Sequence, residues 1–269
     1  MILTVRHTTI FRYDRPVRAV QQSHRLRPAR FDGQRPIEWQ ARPVGGVEGG
    51  GFRDGAGDFV QAWTIPGPLT EVVVEVRGTV ETTDLAGVLK GFRERLPPEV
   101  WLRKTTATRC DAALAALADR TEPAARGLDL AHALARAVTE ALPYATGRTQ
   151  SQTTAAEAMA QGAGVCQDHA QVLIALARRR ELPARYVTGY LLADAAGKPH
   201  EAAHAWAEIW VAGLGWIGFD PANACCPDAR YVRLGSGLDA ADAAPIRGIA
   251  RGEATEALEV SVAVEAQQQ

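Results

Sequence analysis

The sequence has few cysteines, no long apolar run and almost no net charge. Among its 269 residues are four cysteines, and 30 lysines and arginines stand against 31 aspartates and glutamates, for a net charge of −1. This balance argues against a dedicated nucleic-acid binder, which usually carries a strong basic excess. No stretch approaches the roughly 18–20 apolar residues of a membrane helix, and the N-terminus lacks a signal-peptide pattern. We therefore expect a cytoplasmic globular protein with no membrane or nucleic-acid partner.

The four cysteines are too few for a disulfide scaffold in a chain of this length. Two of them are adjacent, and neighbouring cysteines rarely bridge each other because the geometry is strained. None shows the Cys-x-x-Cys spacing of a structural zinc site, and no acidic loop has the ligand spacing of a calcium site. The sequence therefore implies no metal and no cofactor, and each cysteine is considered separately: Cys110, Cys166, Cys225 and Cys226.

The beginning of the chain has the pattern of an antiparallel β-domain. Residues 3–13, 59–65 and 69–80 are rich in β-branched and aromatic residues, with a weaker strand candidate at 39–44. Residues 45–57 contain seven glycines, which predicts a turn or a flexible loop between strands. Several short strands separated by turn signals predict a small sandwich or barrel.

The remainder combines alanine-rich helices with a second set of strands. Alanine and helical spacing dominate residues 97–160, and a further helix is predicted from residue 164 to about residue 180. Alternating patterns then predict strands at residues 184–192, 203–211, 215–220 and 257–264. Helices followed by antiparallel strands, after a β-rich beginning, indicate an α+β protein with two domains, residues 1–84 and 85–269.

Cys166 is the cysteine with the most informative surroundings. It follows a glycine-rich turn and stands where an apolar helix begins. A thiol in the first helical turn lies at the positive end of the helix dipole and near free backbone N–H groups, which favour the thiolate and can stabilise an oxyanion. The alternative is a small buried cysteine that packs beneath the helix.

A histidine and an aspartate occupy neighbouring strands of a predicted hairpin. Strand alternation places His204, Trp206 and Glu208 on one face, and the turn at residues 212–215 returns the chain toward Asp220. A carboxylate beside an imidazole fixes the tautomer and raises its basicity, as a Cys-His-acid triad requires. The alternative is a core histidine and an aspartate that only ends a strand. The helix-start cysteine and this hairpin together favour the catalytic interpretation.

Four ordered motifs resemble the core of the bacterial transglutaminase-like superfamily. They are GVCQDHA at residues 164–170, LPARYVTGY at 182–190, HAWAE at 204–208 and GWIGFDPAN at 215–223. VRHTT and RYDRPV near the N-terminus resemble the β-rich domain that accompanies this core, and PIRG near the C-terminus matches its continuation. The resemblance covers nearly the whole chain.

The resemblance implies a papain-like, transglutaminase-like core of helices packed on an antiparallel sheet, with a catalytic triad. Cys166 would be the nucleophile, His204 the general base and acid, and Asp220 the orienting carboxylate. Members are mostly described as cysteine proteases. The chain departs from the family pattern at His169, where an aromatic residue is more usual and where an imidazole could perturb the thiol, and at Ala222 in place of threonine.

Three further residues are weaker candidates for substrate binding or for an oxyanion donor. Gln161 resembles the upstream glutamine of papain-type sites, Tyr144 lies upstream of the cysteine, and Trp206 shares a face with His204. Their alternatives are a solvated loop residue, a packing tyrosine and a core tryptophan.

The expected function is cysteine-dependent acyl transfer on a peptide or carboxamide bond through a thioester, in a peptide or protein substrate. Hydrolysis by a peptidase or amidase is favoured because water is abundant. Protein-glutamine transglutaminase activity and a non-catalytic peptide-binding module on the same fold are the alternatives. The sequence leaves the oligomeric state open.

Overall fold

A computed structural model describes residues 1–193 and 203–266 of the chain. The first sheet contains six antiparallel strands, in the order β10-β1-β4-β2 with β3 beside β4 and β9 beside β1. The bounds of its strands are β1 (Ile2–His24), β2 (Gln34–Pro43), β3 (Val47–Arg53), β4 (Phe59–Thr82), β9 (Ile246–Ala250) and β10 (Glu256–Ala266).

The expectation of a sandwich or barrel of short strands at the N-terminus is wrong. β1 and β4 have 23 and 24 residues and pair along most of their lengths. Pro16, which follows the strand predicted at residues 3–13, falls within an irregularity of this pairing between Arg12 and Val17 and does not end the strand. One long, locally bent sheet therefore replaces several short strands, and its alternating valines bury one face.

The glycine-rich stretch is likewise only partly a loop. Residues 47–53 form β3, which pairs with β4 although every one of its residues is exposed. Backbone hydrogen bonds with β4 define this strand, so it needs no buried side chain, which is why the sequence pattern does not reveal it.

Four helices pack on a second antiparallel sheet; the sequence predicts helices in this region but not their number. The helices are α1 (Ala112–Arg120), α2 (Gly127–Ala141), α3 (Ala155–Gln161) and α4 (Cys166–Arg179). The sheet has the order β7-β6-β5-β8, with β5 (Ala184–Leu191), β6 (His204–Val211), β7 (Gly215–Phe219) and β8 (Tyr231–Gly237). α4 is buried from Asp168 to Arg178 and contacts the other three helices as well as β5 and β6. The architecture confirms the predicted α+β class.

The two sheets are joined by buried charges and by the C-terminal strands. Asp58 of the first sheet's β3–β4 turn pairs with Arg233 of β8 at 2.8 Å, and Arg233 pairs with Glu208 of β6 at 2.8 Å. Glu208 also binds Arg185 of β5 at 2.6 Å, and Arg185 pairs in turn with Glu94. β9 and β10 both pair with β1, so the end of the chain returns to the first sheet.

In the described part of the chain, every helix is too short or too polar to cross a membrane.

Candidate active site

Cys166 occupies the first position of α4, with Val165 extended before it. The Asp168 carboxylate fixes this helix start, since its Oδ2 accepts the backbone N–H of Val165 at 2.8 Å and the hydroxyl of Thr149 at 2.6 Å. Cys166 remains partly exposed. The thiol is therefore accessible at a helix start whose free N–H groups and dipole favour negative charge.

His204 and Asp220 meet at the ends of β6 and β7. The two strands pair through Ala207 and Phe219, so Asp220 lies one residue beyond this pair and His204 is the first residue of β6. The Nε2 atom of His204 lies 2.6 Å from Oδ2 of Asp220, and both side chains are almost fully buried. The hairpin thus brings together the histidine and the carboxylate predicted from the sequence.

Cys166 and Asp220 act on the same imidazole. Burial lowers the pKa of His204, but hydrogen bonds and charge interactions with Asp220 and Cys166 outweigh burial and raise it to about 10. Nε2 is the ring nitrogen that Asp220 engages, and the Cys166 side chain also hydrogen-bonds to the imidazole. The arrangement favours an imidazolium between two negative groups.

Asp220 is held by more donors than His204 alone. Its Oδ2 also accepts the amide of Asn223 and the hydroxyl of Tyr231, each at 2.8 Å, and its Oδ1 accepts the backbone N–H of Ala222 at 3.1 Å. Burial raises the pKa of Asp220, but His204, Asn223 and Tyr231 reverse this effect and lower it. The carboxylate therefore stays ionised although it is buried.

Sequence reasoning overlooks Asn223 and Tyr231, the two side chains that hold Asp220 from behind. The spacing of the Asp-Pro-x-Asn motif is a local signal for Asn223, since a side chain three residues on can close a turn. No local pattern marks Tyr231, which the start of β8 places against Asp220. Burial, followed by Asp220 and Cys225, raises the pKa of Tyr231, so its hydroxyl remains a donor.

Trp206 lies behind His204. Its ring stacks on His204 with centroids 6.3 Å apart and meets Tyr231 edge-on at 5.5 Å, and only 2% of the residue is exposed. A ring this buried presents almost no surface to a substrate. These contacts favour the alternative of a core tryptophan, whose ring packs on the histidine.

Tyr144 lies beside the segment that contains the Cys166 thiol, whereas Gln161 makes no described contact with the site. Gln161 is the exposed last residue of α3, and among the described contacts none joins its side chain to Cys166, His204 or Asp220. Tyr144 is half-exposed, and its backbone pairs with Gly164, two residues before Cys166. The structure therefore brings Tyr144 to the edge of the site but provides no contact that supports Gln161 as an oxyanion donor.

His169 joins the helix start to the segment that contains Tyr144. The imidazole is buried, with Nδ1 at 2.9 Å from the carbonyl oxygen of Val165 and Nε2 at 2.7 Å from that of Leu142. The ring of Tyr144 lies over it at a centroid distance of 6.1 Å. The departure from the family pattern is thus a structural connection beside the thiol.

All four cysteines carry free thiols. Burial is the first cause of a raised pKa at Cys110, Cys225 and Cys226, so these three thiols resist ionisation and are natural internal controls for Cys166. Across residues 1–193 and 203–266, no group of three or more His, Cys, Asp or Glu side chains is arranged to hold a metal ion.

Known proteins match both halves of the chain. A family model described as the transglutaminase-like superfamily matches residues 115–221, and one described as the bacterial transglutaminase-like N-terminal region matches residues 3–81. An uncharacterized protein of Mycobacterium leprae is 30% identical over 280 residues, covering 97% of this chain and 98% of its own. An uncharacterized protein of Mycobacterium tuberculosis is 41% identical over 115 residues, which is 39% of this chain and 37% of that protein.

A solved structure shares the fold. The crystal structure of a candidate cysteine protease from Cytophaga hutchinsonii superposes with a TM-score of 0.73 at 23% identity, covering 100% of this chain and 92% of that one. The chain therefore shares its overall fold with a known structure.

Proposed function

Because the chain belongs to the transglutaminase-like superfamily, we propose that it is a cysteine-dependent acyl-transfer enzyme. Cys166 is the nucleophile, His204 the general base and acid, and Asp220 the residue that orients His204. The observation that carries this proposal is one chain of contacts, from a partly exposed thiol at a helix start to His204 and on to Asp220 at 2.6 Å. Each of these groups has the chemistry that nucleophilic catalysis by a thiol needs.

In the first step the Cys166 thiolate attacks the carbonyl carbon of a peptide or carboxamide. The carbonyl oxygen becomes an oxyanion, which the backbone N–H of Cys166 at the helix start can stabilise. When the C–N bond breaks, the His204 imidazolium gives its proton to the departing amine. The acyl group is then held on Cys166 as a thioester.

In the second step a nucleophile releases the acyl group. Water loses a proton to His204 as it attacks the thioester, the C–S bond breaks, and a carboxylic acid leaves while the thiolate–imidazolium pair returns. We favour water as the acceptor because it is abundant. An amine in place of water would complete a transamidation by the same proton transfers.

The first test is the pH dependence of iodoacetamide labelling at each cysteine, measured by mass spectrometry. Cys166 should label rapidly well below about pH 8.5, the ordinary range of a free thiol, and should lose this advantage in His204→Ala. Cys110, Cys225 and Cys226 report general accessibility in the same sample. The proposal is wrong if Cys166 labels no faster than these thiols while remaining accessible, and the site would then be tested for peptide binding.

A second measurement separates the acceptors. Peptide amides are incubated with the protein with and without an added primary amine, and the products are identified by mass. Release of the free acid in the presence of amine indicates a hydrolase, whereas an amine adduct of the acyl group indicates a transamidase. Cys166→Ala is the control, and product formation by this variant would contradict the assignment of the nucleophile.

A further inference from the structure

His169 faces a hydrogen-bond acceptor on each side of its ring. Nδ1 points at the carbonyl oxygen of Val165 and Nε2 at the carbonyl oxygen of Leu142, at 2.9 and 2.7 Å. A carbonyl oxygen only accepts hydrogen bonds, and a neutral imidazole carries a single N–H. A neutral ring would therefore set one nitrogen lone pair against a carbonyl lone pair inside a buried pocket, where an unmade hydrogen bond is costly.

We propose that His169 is a positioning residue of the site, protonated on both ring nitrogens. In this form it donates to both carbonyls, ties residues 142–145 to the start of α4, and places a positive charge beside Cys166. The effect on the ionisation of the Cys166 thiol rests on the proposed function. The protonation of the His169 ring is inferred from its two contacts alone.

The position of the ring on the helix gives the charge its effect. Cys166 and His169 are three residues apart in the first turns of α4, a spacing that makes side chains neighbours on a helix surface. A positive charge at this distance favours the thiolate, in addition to the effects of the helix dipole and of His204. His169 thus acts on the nucleophile without touching the substrate.

A buried carboxylate adjoins His169 in the sequence. Asp168, fully buried, is the next residue along the helix, and its Oδ1 makes no hydrogen bond to any described residue. Cys166 is on the same helix and Tyr144 lies over the ring, while Tyr186 of β5 interacts electrostatically with Cys166 and Asp168. Burial, followed by the charges of Cys166 and Asp168, raises the pKa of Tyr186, so this phenol stays neutral.

The same ring also shapes the rim of the site. The backbone of residues 143–145 hydrogen-bonds to Gly164 on both sides, with Gly164 N donating to Pro143 O at 3.1 Å and Ala145 N donating to Gly164 O at 2.9 Å. His169 adds the contact to Leu142, so this segment is fixed against the helix start immediately before Cys166. A phenylalanine at position 169 would fill the space but could not hold the segment in this way.

The protonation state is measured directly by 15N NMR of histidine-labelled protein, with the resonances of His169 assigned by their loss in His169→Phe and, independently, in His169→Gln. At about pH 8, where a free histidine with its pKa of about 6.5 is neutral, both ring nitrogens of His169 should show protonated shifts. A pyridine-type nitrogen in His169 would overturn the proposal. This readout does not depend on any activity.

The effect on the nucleophile is measured by the pH dependence of iodoacetamide labelling at Cys166. We expect the pH below which labelling falls off to rise by about one unit in His169→Phe, because a unit charge one helical turn away is removed. His132→Phe replaces an exposed histidine of α2 and should leave this pH unchanged. An unchanged pH profile in a folded His169→Phe overturns the effect on Cys166. Labelling that is insensitive to His204→Ala would instead contradict the proposed function.

Discussion

Replacing Asp220 with asparagine tests the electrostatics of the site most directly. The substitution keeps the size of the side chain and one acceptor oxygen but removes the negative charge that lies 2.6 Å from Nε2 of His204. Burial lowers the pKa of His204, and in this variant only the interactions with Cys166 still raise it. We expect the imidazolium to be lost at neutral pH, and the thiolate to lose its partner with it.

The size of the effect follows from ordinary thiol chemistry. A thiol with a pKa of about 8.5 is only about 0.3% ionised at pH 6, whereas a thiolate paired with an imidazolium is almost fully ionised. A more basic thiolate is a better nucleophile, which recovers part of the difference. Labelling of Cys166 in Asp220→Asn at about pH 6 should therefore be roughly tenfold slower than in the wild type.

The assay compares the initial rate of carbamidomethylation of Cys166 in wild type, Asp220→Asn and Asp228→Asn. Asp228 is the matched control, since it is a partly exposed aspartate that pairs with Arg230. Asp228→Asn should label at the wild-type rate at every pH. A folded Asp220→Asn with the wild-type profile would refute the argument, because the charge of Asp220 would then have no influence on the pair.

The same variant has a defined signature in stability. The pKa of His204 is raised in the folded state, so its contribution to stability is complete below about pH 6.5 and is lost as the pH rises toward 10. The pKa of Asp220 is lowered, so its contribution is present above its unfolded value of 3.8 and is lost at lower pH. The free energy of unfolding in urea should therefore separate wild type from Asp220→Asn most between about pH 4 and 6.5. Parallel pH profiles would contradict this.

Three further substitutions test other parts of the structure. Tyr231→Phe removes a hydroxyl that donates to Asp220 and lowers its pKa. The pH below which Cys166 labelling falls off should therefore rise by at most about one unit, and an unchanged pH profile would argue against this role. Asp58→Ala leaves Arg233 without one of its buried carboxylates and should lower the free energy of unfolding by about 3–5 kcal/mol in urea denaturation, with Asp58→Asn less affected because it can still accept hydrogen bonds. Leu173→Ala opens a cavity under α4 and should cost about 2–5 kcal/mol, measured in the same way; a loss below about 1 kcal/mol would mean that the helix repacks.

Local patterns in the sequence determine much of this protein. Alternation along β6 separates His204, Trp206 and Glu208 from the alanines and aliphatic residues that pack under α4, and the structure has this division. The glycine turn before Cys166 predicts a helix start, and α4 begins at that residue. These features are readable because strand and helix periods act over a few neighbouring residues.

Pairing between distant strands decided the features of the fold that local sequence patterns do not show. The continuity of β1 through Pro16 depends on its partner β4, and the return of β10 to β1 joins residues about 250 positions apart. Contacts of that range depend on which surfaces fit in the folded chain, and short sequence windows carry no signal for them.

In the candidate site, too, some features follow from the sequence and others only from the tertiary structure. Motif positions suffice to select Cys166, His204 and Asp220 as the proposed nucleophile, base and acid, because these roles need residue types with distinct chemistry. Only tertiary structure brings Tyr231 to Asp220, leaves Gln161 in solvent and sets both nitrogens of His169 against carbonyl oxygens. The sequence alone thus determined which residues are the candidates for catalysis, while the packing of distant segments decided how those residues are held.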